Sequence, residues 1–138
     1  MKCLIDASSL LLLVKKADIK STVQCLQDSF VLDLTFYEVG NAVWKESTLM
    51  KFLTPKEAER LGTLAQTILA KVDRINSGAE DFQKILDIAK TEELSYYDSS
   101  YVYFAKKAAL PLVSEDKQLT TKAGKYVNVC AVAELLSH

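Results

Sequence analysis

The chain has 138 residues, 49% of them hydrophobic, which is enough for one domain with a real core and too few for two. Its 17 basic and 18 acidic side chains nearly cancel, so an anionic partner has to be met by a local basic patch and not by the overall field. Three cysteines, Cys3, Cys25 and Cys130, are an odd number without CxxC or metal-ligand spacing; they argue against a closed disulfide framework and fit a reducing cytoplasm. The apolar run at 10–14 is too short for a membrane span and wrongly flanked for a signal peptide.

Taken in chain order, short apolar runs alternate with longer amphipathic ones. Cys3, Leu4 and Ile5 form a first buried strand ending in Asp6, with Ser8 as the expected N-cap of the Leu-rich turn that follows. An amphipathic segment covers about 18–27, and Phe30, Val31 and Leu32 form a second strand. Thr35 opens a helix to about 51, and Thr35 with Glu38 has the spacing of a capping box. Thr54, Pro55 and Glu57 open the next helix, to about 70, and 72–75 reads as a third strand. Ser77 with Glu80 opens a helix through 89; Ser95 with Asp98 opens another, which Pro111 stops. Leu112, Val113 and Ser114 make a fourth strand with Asp116 directly after it, and 126–129 makes a fifth before a short terminal helix. This alternation predicts an α/β domain over 1–138, with five parallel strands between two helical layers.

Four acids, Asp6, Glu38, Asp98 and Asp116, each follow a predicted strand or open a predicted helix. Ligands of open parallel sheets bind outside the carboxyl ends of the strands, so these positions converge. Glu38 and Asp98, each at the third position of a capping box, are taken singly no more than helix caps. Asp6 and Asp116 end or follow hydrophobic strands, where a carboxylate is costly unless paired. Two carboxylates about 4 Å apart repel by roughly 4 kcal/mol at an effective dielectric near 20, so a cluster of four calls for a cation or bound protons. Oxygen donors and a single terminal histidine, His138, favour Mg²⁺ or Mn²⁺ over Zn²⁺. No Ser/His or Cys/His pair is available for covalent catalysis, and the P-loop and GxGxxG patterns are missing.

Positive charge beside the acids would be needed for a phosphate substrate. Lys45 shares one helix face with Glu38 and Asn41, and Lys117 follows Asp116, which makes these two the expected phosphate contacts. Lys106, Lys107, Lys122 and Lys125 widen the patch unless they are merely solvated. Trp44 and the tyrosines at 96, 97, 101 and 103 are base-stacking candidates or core. Leu61, Leu64, Ala65, Ile68 and Leu69 form an apolar stripe that is either core or interface. The cysteines read as small buried hydrophobes.

The residues Leu4-Ile5-Asp6-Ala7-Ser8, Tyr37-Glu38-Val39-Gly40-Asn41-Ala42, Tyr96-Tyr97-Asp98-Ser99-Ser100-Tyr101-Val102 and Pro111-Leu112-Val113-Ser114-Glu115-Asp116-Lys117-Gln118-Leu119, in that order and at those separations, resemble the PIN-domain nucleases, particularly the compact VapC-type toxins of prokaryotic toxin–antitoxin pairs. The resemblance implies a PIN-like fold and a Mg²⁺- or Mn²⁺-dependent ribonuclease. It also implies a small antitoxin protein as partner and a homodimer. By resemblance Asp6, Glu38, Asp98 and Asp116 are the metal-binding acids, with Ser8, Asn41 and Ser114 as polar neighbours; Ser114 stands where the family more often has Thr. Glu115 should face away from the site, because neighbours in an extended segment point to opposite sides. Two alternatives remain at this point: a PIN nuclease of RNA processing or quality control, and a PIN-like interaction module without turnover.

Overall fold

A computed structural model describes residues 1–137. The sequence-predicted position His138 lies outside the described residues. Five parallel strands, β1 (Leu4–Ile5), β2 (Phe30–Leu32), β3 (Asp73–Ile75), β4 (Leu112–Val113) and β5 (Val129–Cys130), line up in the order β3-β2-β1-β4-β5. The chain works outward from β1 to β2 and β3 and then crosses to β4 on the other side of β1, so the strand order reverses at the β1–β4 pair. Such a switch point leaves a crevice at the carboxyl edge of the sheet.

The pleat sorts these strand residues between two cores. Ile5, Val31 and Val113 pack with α1 (Ala7–Lys16), α2 (Ile19–Cys25), α3 (Asp33–Trp44), α4 (Pro55–Leu69) and α8 (Val132–Leu136). Leu4, Leu32 and Leu112 pack on the opposite face with α5 (Phe82–Glu92), α6 (Tyr96–Lys107) and α7 (Lys117–Ala123). Leu4, Ile5, Leu112 and Val113 are all fully buried. Each such side chain contributes about 1.5–3 kcal/mol on burial, so strands of two or three residues suffice when both faces are covered. The three-layer α/β/α arrangement around a five-stranded parallel sheet is the one expected. The stripe on α4 divides: Leu61, Ala65 and Ile68 are core, while Leu64 and Leu69 are partly exposed at its edge. Among the described residues no helix is long and apolar enough to cross a membrane.

Helix starts differ from expectation where another side chain takes the amide or the expected cap bonds elsewhere. Asp6, not Ser8, caps α1 by accepting from Ser9 N at 2.9 Å. The expected Thr35–Glu38 box does not form. Helix α3 begins two residues earlier, Thr35 Oγ1 accepts from Leu32 N at 2.9 Å, and Glu38 is left in the helix interior. The Ser77–Glu80 box is shifted by one: Asp81 accepts from Gly78 N at 3.0 Å, and Ser77 donates to Asp33. Thr54 and Glu57 form their box as read, at 3.0 and 3.1 Å. Helix α3 stops at Trp44 and continues as one wide π turn, Lys45–Leu49, short of 51. Lys15 pins that turn to α1 through Glu46 at 2.8 Å. The fifth strand forms at Val129–Cys130, later than 126–129, because Tyr126 and Val127 still bond back to Ala123.

Candidate active site

Each of the four acids is delivered by a different element. Asp6 leaves β1 and caps α1, Glu38 lies on the second turn of α3, Asp98 on the first turn of α6, and Asp116 caps α7 just beyond β4. All four line one cleft of about 260 Å³ at the carboxyl edge of the sheet, together with Ala7, Ser8, Asn41, Ala42, Lys45 and Tyr101. The expected convergence therefore occurs at the topological switch point.

Anchoring differs from acid to acid. Asp6 Oδ1 takes the Ser9 amide at 2.9 Å and Ser8 Oγ at 3.5 Å. Asp116 Oδ1 takes the Leu119 amide at 2.9 Å, and its own amide donates to the buried Ser114 Oγ at 3.2 Å. Glu38 Oε1 accepts the hydroxyl of Tyr101 at 2.7 Å. The Ser95–Asp98 box is only half formed: Asp98 N donates to Ser95 Oγ at 3.0 Å, and the Asp98 carboxylate does not reach back to the Ser95 amide.

Burial and mutual repulsion set the electrostatics. Asp6 is 6% exposed. Its pKa is raised above the ordinary carboxylate range, first by desolvation and also by the charge of Asp116, against the opposing hydrogen bonds of Ser114 and Ser9. Glu38, half-buried, is pushed the same way by desolvation and by Asp98 and Asp6, with Tyr101 opposing. Asp98, also half-buried, is raised by desolvation and by Asp116 and Asp6. Lys45 is the one basic side chain of the cleft lining. It makes no ion pair with a described residue.

Oxygen donors that repel one another suit a hard cation in kind. In spacing, no three His, Cys, Asp or Glu side chains among the described residues stand close enough to hold an ion directly. A Mg²⁺ ion commonly keeps several waters, and the donor set fits an ion held in part through its hydration shell.

Of the other sequence-predicted residues, Asn41 and Ser8 line the cleft, and Ser114 lies under it. Lys117, exposed at the start of α7, is not part of the cleft lining, because consecutive side chains at a helix start project in different directions and it is the cap, Asp116, that faces the cleft. Lys107 and Lys125 are spent on Asp81 and Glu92, and Lys106 stacks on Tyr126, all remote from the acids. Glu115 faces away, accepting from Val132 N at 2.6 Å at the start of α8. Trp44 and Tyr97 are exposed; Tyr101 is buried, and Tyr103 bonds Asp81. Sequence reasoning missed the polar role of Tyr101. Its signal was its position one turn after Asp98, since a tyrosine in a core needs a partner for its hydroxyl.

No family model matches the chain. It is 29% identical over 126 residues to "Exonuclease VapC9" of Pyrobaculum aerophilum, covering 91% of this chain and 89% of that protein. It is 28% identical over 126 residues to "Ribonuclease VapC3" of the same organism, covering 88% and 95%. The crystal structure of PAE2754, also from Pyrobaculum aerophilum, superposes with a TM-score of 0.82 at 28% identity over 99% of this chain and 95% of that one. The chain is thus similar over most of its length to VapC proteins, and the resemblance carried by its four motifs is borne out, as is the PIN-like fold.

Proposed function

We propose that the protein is a Mg²⁺- or Mn²⁺-dependent endoribonuclease, the toxin of a toxin–antitoxin pair. The observation that carries this reading is the gathering of Asp6, Glu38, Asp98 and Asp116, from four separate elements, in one cleft with a single unpaired lysine. Similarity to two VapC proteins named as an exonuclease and a ribonuclease supports it. The four acids would hold the ion, which when bound supplies Lewis-acid polarisation of the phosphodiester and activation of water. The chain's own residues do the positioning. Lys45 meets the phosphate, Asn41 orients water from the α3 wall, and Ser8 and Ser114 fix the carboxylate of Asp6 and the turn carrying Asp116.

The partner part of the proposal rests on a second groove. Val14, Ala17, Ile19, Leu53, Leu61 and Leu64 line a groove of about 620 Å³ between α1, α2 and α4. Lys15, Asp18, Glu57 and Arg60 also line it, and a groove mixing apolar and charged residues suits an amphipathic segment from a small antitoxin. Self-association as a homodimer and action in the cytoplasm complete the proposal; the three free cysteines suit a reducing compartment.

Incubating the purified protein with RNA and Mg²⁺, Mn²⁺ or EDTA tests the central claim. Cleavage with either ion and its loss in EDTA is the expected result. Cleavage undiminished by EDTA overturns metal dependence. RNA left intact with both ions favours a non-catalytic PIN-like module, the reading to which the wide spacing of the acids would then point.

A further inference from the structure

Three of the four acids sit at helix starts, and for Asp6 and Asp116 a free amide of the first turn fixes one carboxylate oxygen. Glu38 has no such amide, because it lies inside α3, where backbone N–H groups are already used. Its only protein partner among the described residues is Tyr101, 1% exposed, on the neighbouring α6. The Tyr101 hydroxyl lies 2.7 Å from Glu38 Oε1 and 2.7 Å from Thr35 Oγ1. An ionised carboxylate has no proton to give, so the phenolic proton goes to Glu38 and the phenolic oxygen accepts from Thr35. Thr35 Oγ1 in turn accepts from Leu32 N at 2.9 Å. The result is a directed chain, Leu32 N–H to Thr35 to Tyr101 to Glu38, running from the end of β2 to the cleft. Thr35 is fully buried, so neither hydroxyl has water as an alternative partner.

We propose that Tyr101, backed by Thr35, is a positioning residue: it holds Glu38 by Oε1 and leaves Oε2, which takes no hydrogen bond from a described residue, as the oxygen offered to a cation. Without that bond Glu38 retains free side-chain torsions, and a ligand that must be ordered on binding binds more weakly. The inference rests on the metal-dependent reading of the cleft.

The test measures Mn²⁺ binding to the RNA-free protein by titration calorimetry, beside thermal melting and cleavage kinetics. Tyr101→Phe keeps the ring in the core and removes only the hydroxyl; it should weaken Mn²⁺ binding about 10–100-fold, the usual cost of losing an outer-shell partner. At saturating Mn²⁺ its KM for RNA should be unchanged. Thr35→Val should weaken Mn²⁺ binding in the same direction, and Thr35→Ser should restore it; these two carry the test if Tyr101→Phe does not fold. In a Glu38→Gln background, Tyr101→Phe should cost no further Mn²⁺ affinity, whereas an equal loss there means that Tyr101 acts through the fold and overturns the inference. A wild type that binds Mn²⁺ and a folded Tyr101→Phe indistinguishable from it overturns the positioning role and leaves the nuclease reading standing. A wild type that binds no Mn²⁺ and cleaves no RNA removes that reading and this inference with it.

Discussion

Two sets of buried acids in this molecule answer burial in opposite ways. Asp81, the N-cap of α5, and Glu92, its last residue, are 2% and 7% exposed, much like Asp6 at 6%. Asp81 accepts from Lys107 at 2.9 Å, Tyr103 at 2.7 Å and the Gly78 amide at 3.0 Å. These partners, Lys107 foremost, hold its pKa down to about 2. Glu92 is lowered likewise by Lys125 and Tyr126, each at 2.7 Å. Asp6, Glu38 and Asp98 are raised instead. At the like exposure of Asp6 and Asp81, a carboxylate is strained or stabilised according to whether a cation has been built in beside it. Around α5 the cations are lysines of the chain itself. In the cleft the one lysine pairs with none of the acids, and the positive charge is left to be supplied.

Exchanging one acid in each region breaks the comparison most directly. Asp6→Asn keeps the capping of α1, since Asn caps a helix as well as Asp, and removes one of the repelling charges. Cleavage of RNA should fall by about 100-fold or more, beyond the loss expected for an outer-shell partner, while the melting temperature without divalent ions rises. Asp81→Asn should do the reverse, lowering the melting temperature and leaving cleavage unchanged. An Asp6→Asn variant that cleaves like the wild type would show that the two regions do not differ in function.

The pH dependence of stability sharpens the same contrast. The folded pKa of Asp81 lies below its ordinary 3.8, so its stabilisation is present above about pH 4 and is lost as pH falls towards 2. Asp6, Glu38 and Asp98 carry folded values above the ordinary range. They therefore favour the fold below that range and lose this contribution as pH rises through their folded values. Urea melts of the metal-free protein from about pH 2 to 8 should show both limbs, with Asp81→Asn flattening the acid limb and Asp6→Asn the upper one. The smallest effect belongs to Lys45→Ala: thermal stability should hardly move, and RNA binding should weaken with a salt slope shallower by about one.

The sheet and the end at which the acids gather were legible because a hydrophobic strand closing in a carboxylate is a strong local sign, as at Ile5-Asp6. The caps were less so. The S/T-x-x-E/D spacing recurs at 35/38, 54/57, 77/80 and 95/98, and only tertiary contact decides which of these pairs closes into a box. Asp33 draws Ser77 away from its expected box, and Tyr101 engages both Thr35 and Glu38 from a helix far along the chain. The sequence reading has no helix where α7 lies, because it takes Asp116 as a ligand and not also as a cap. Strand β5 was misplaced because Tyr126 and Val127 have β-favouring side chains but bond back to α7.

The order in which the acids occur along the chain also bears on how the molecule assembles. Asp6 and Asp116 come from opposite ends of the sequence, and they become neighbours only when β4 pairs with β1 in parallel, a long-range closure that follows local helix formation. Their repulsion is therefore absent from the nascent chain and builds up only as the crossover to β4 closes. A penalty felt that late is expressed in the rate of unfolding, with little effect on the rate of folding. On the proposed reading, an ion taken up by the finished cleft acts as a brake on opening and has no part in nucleation.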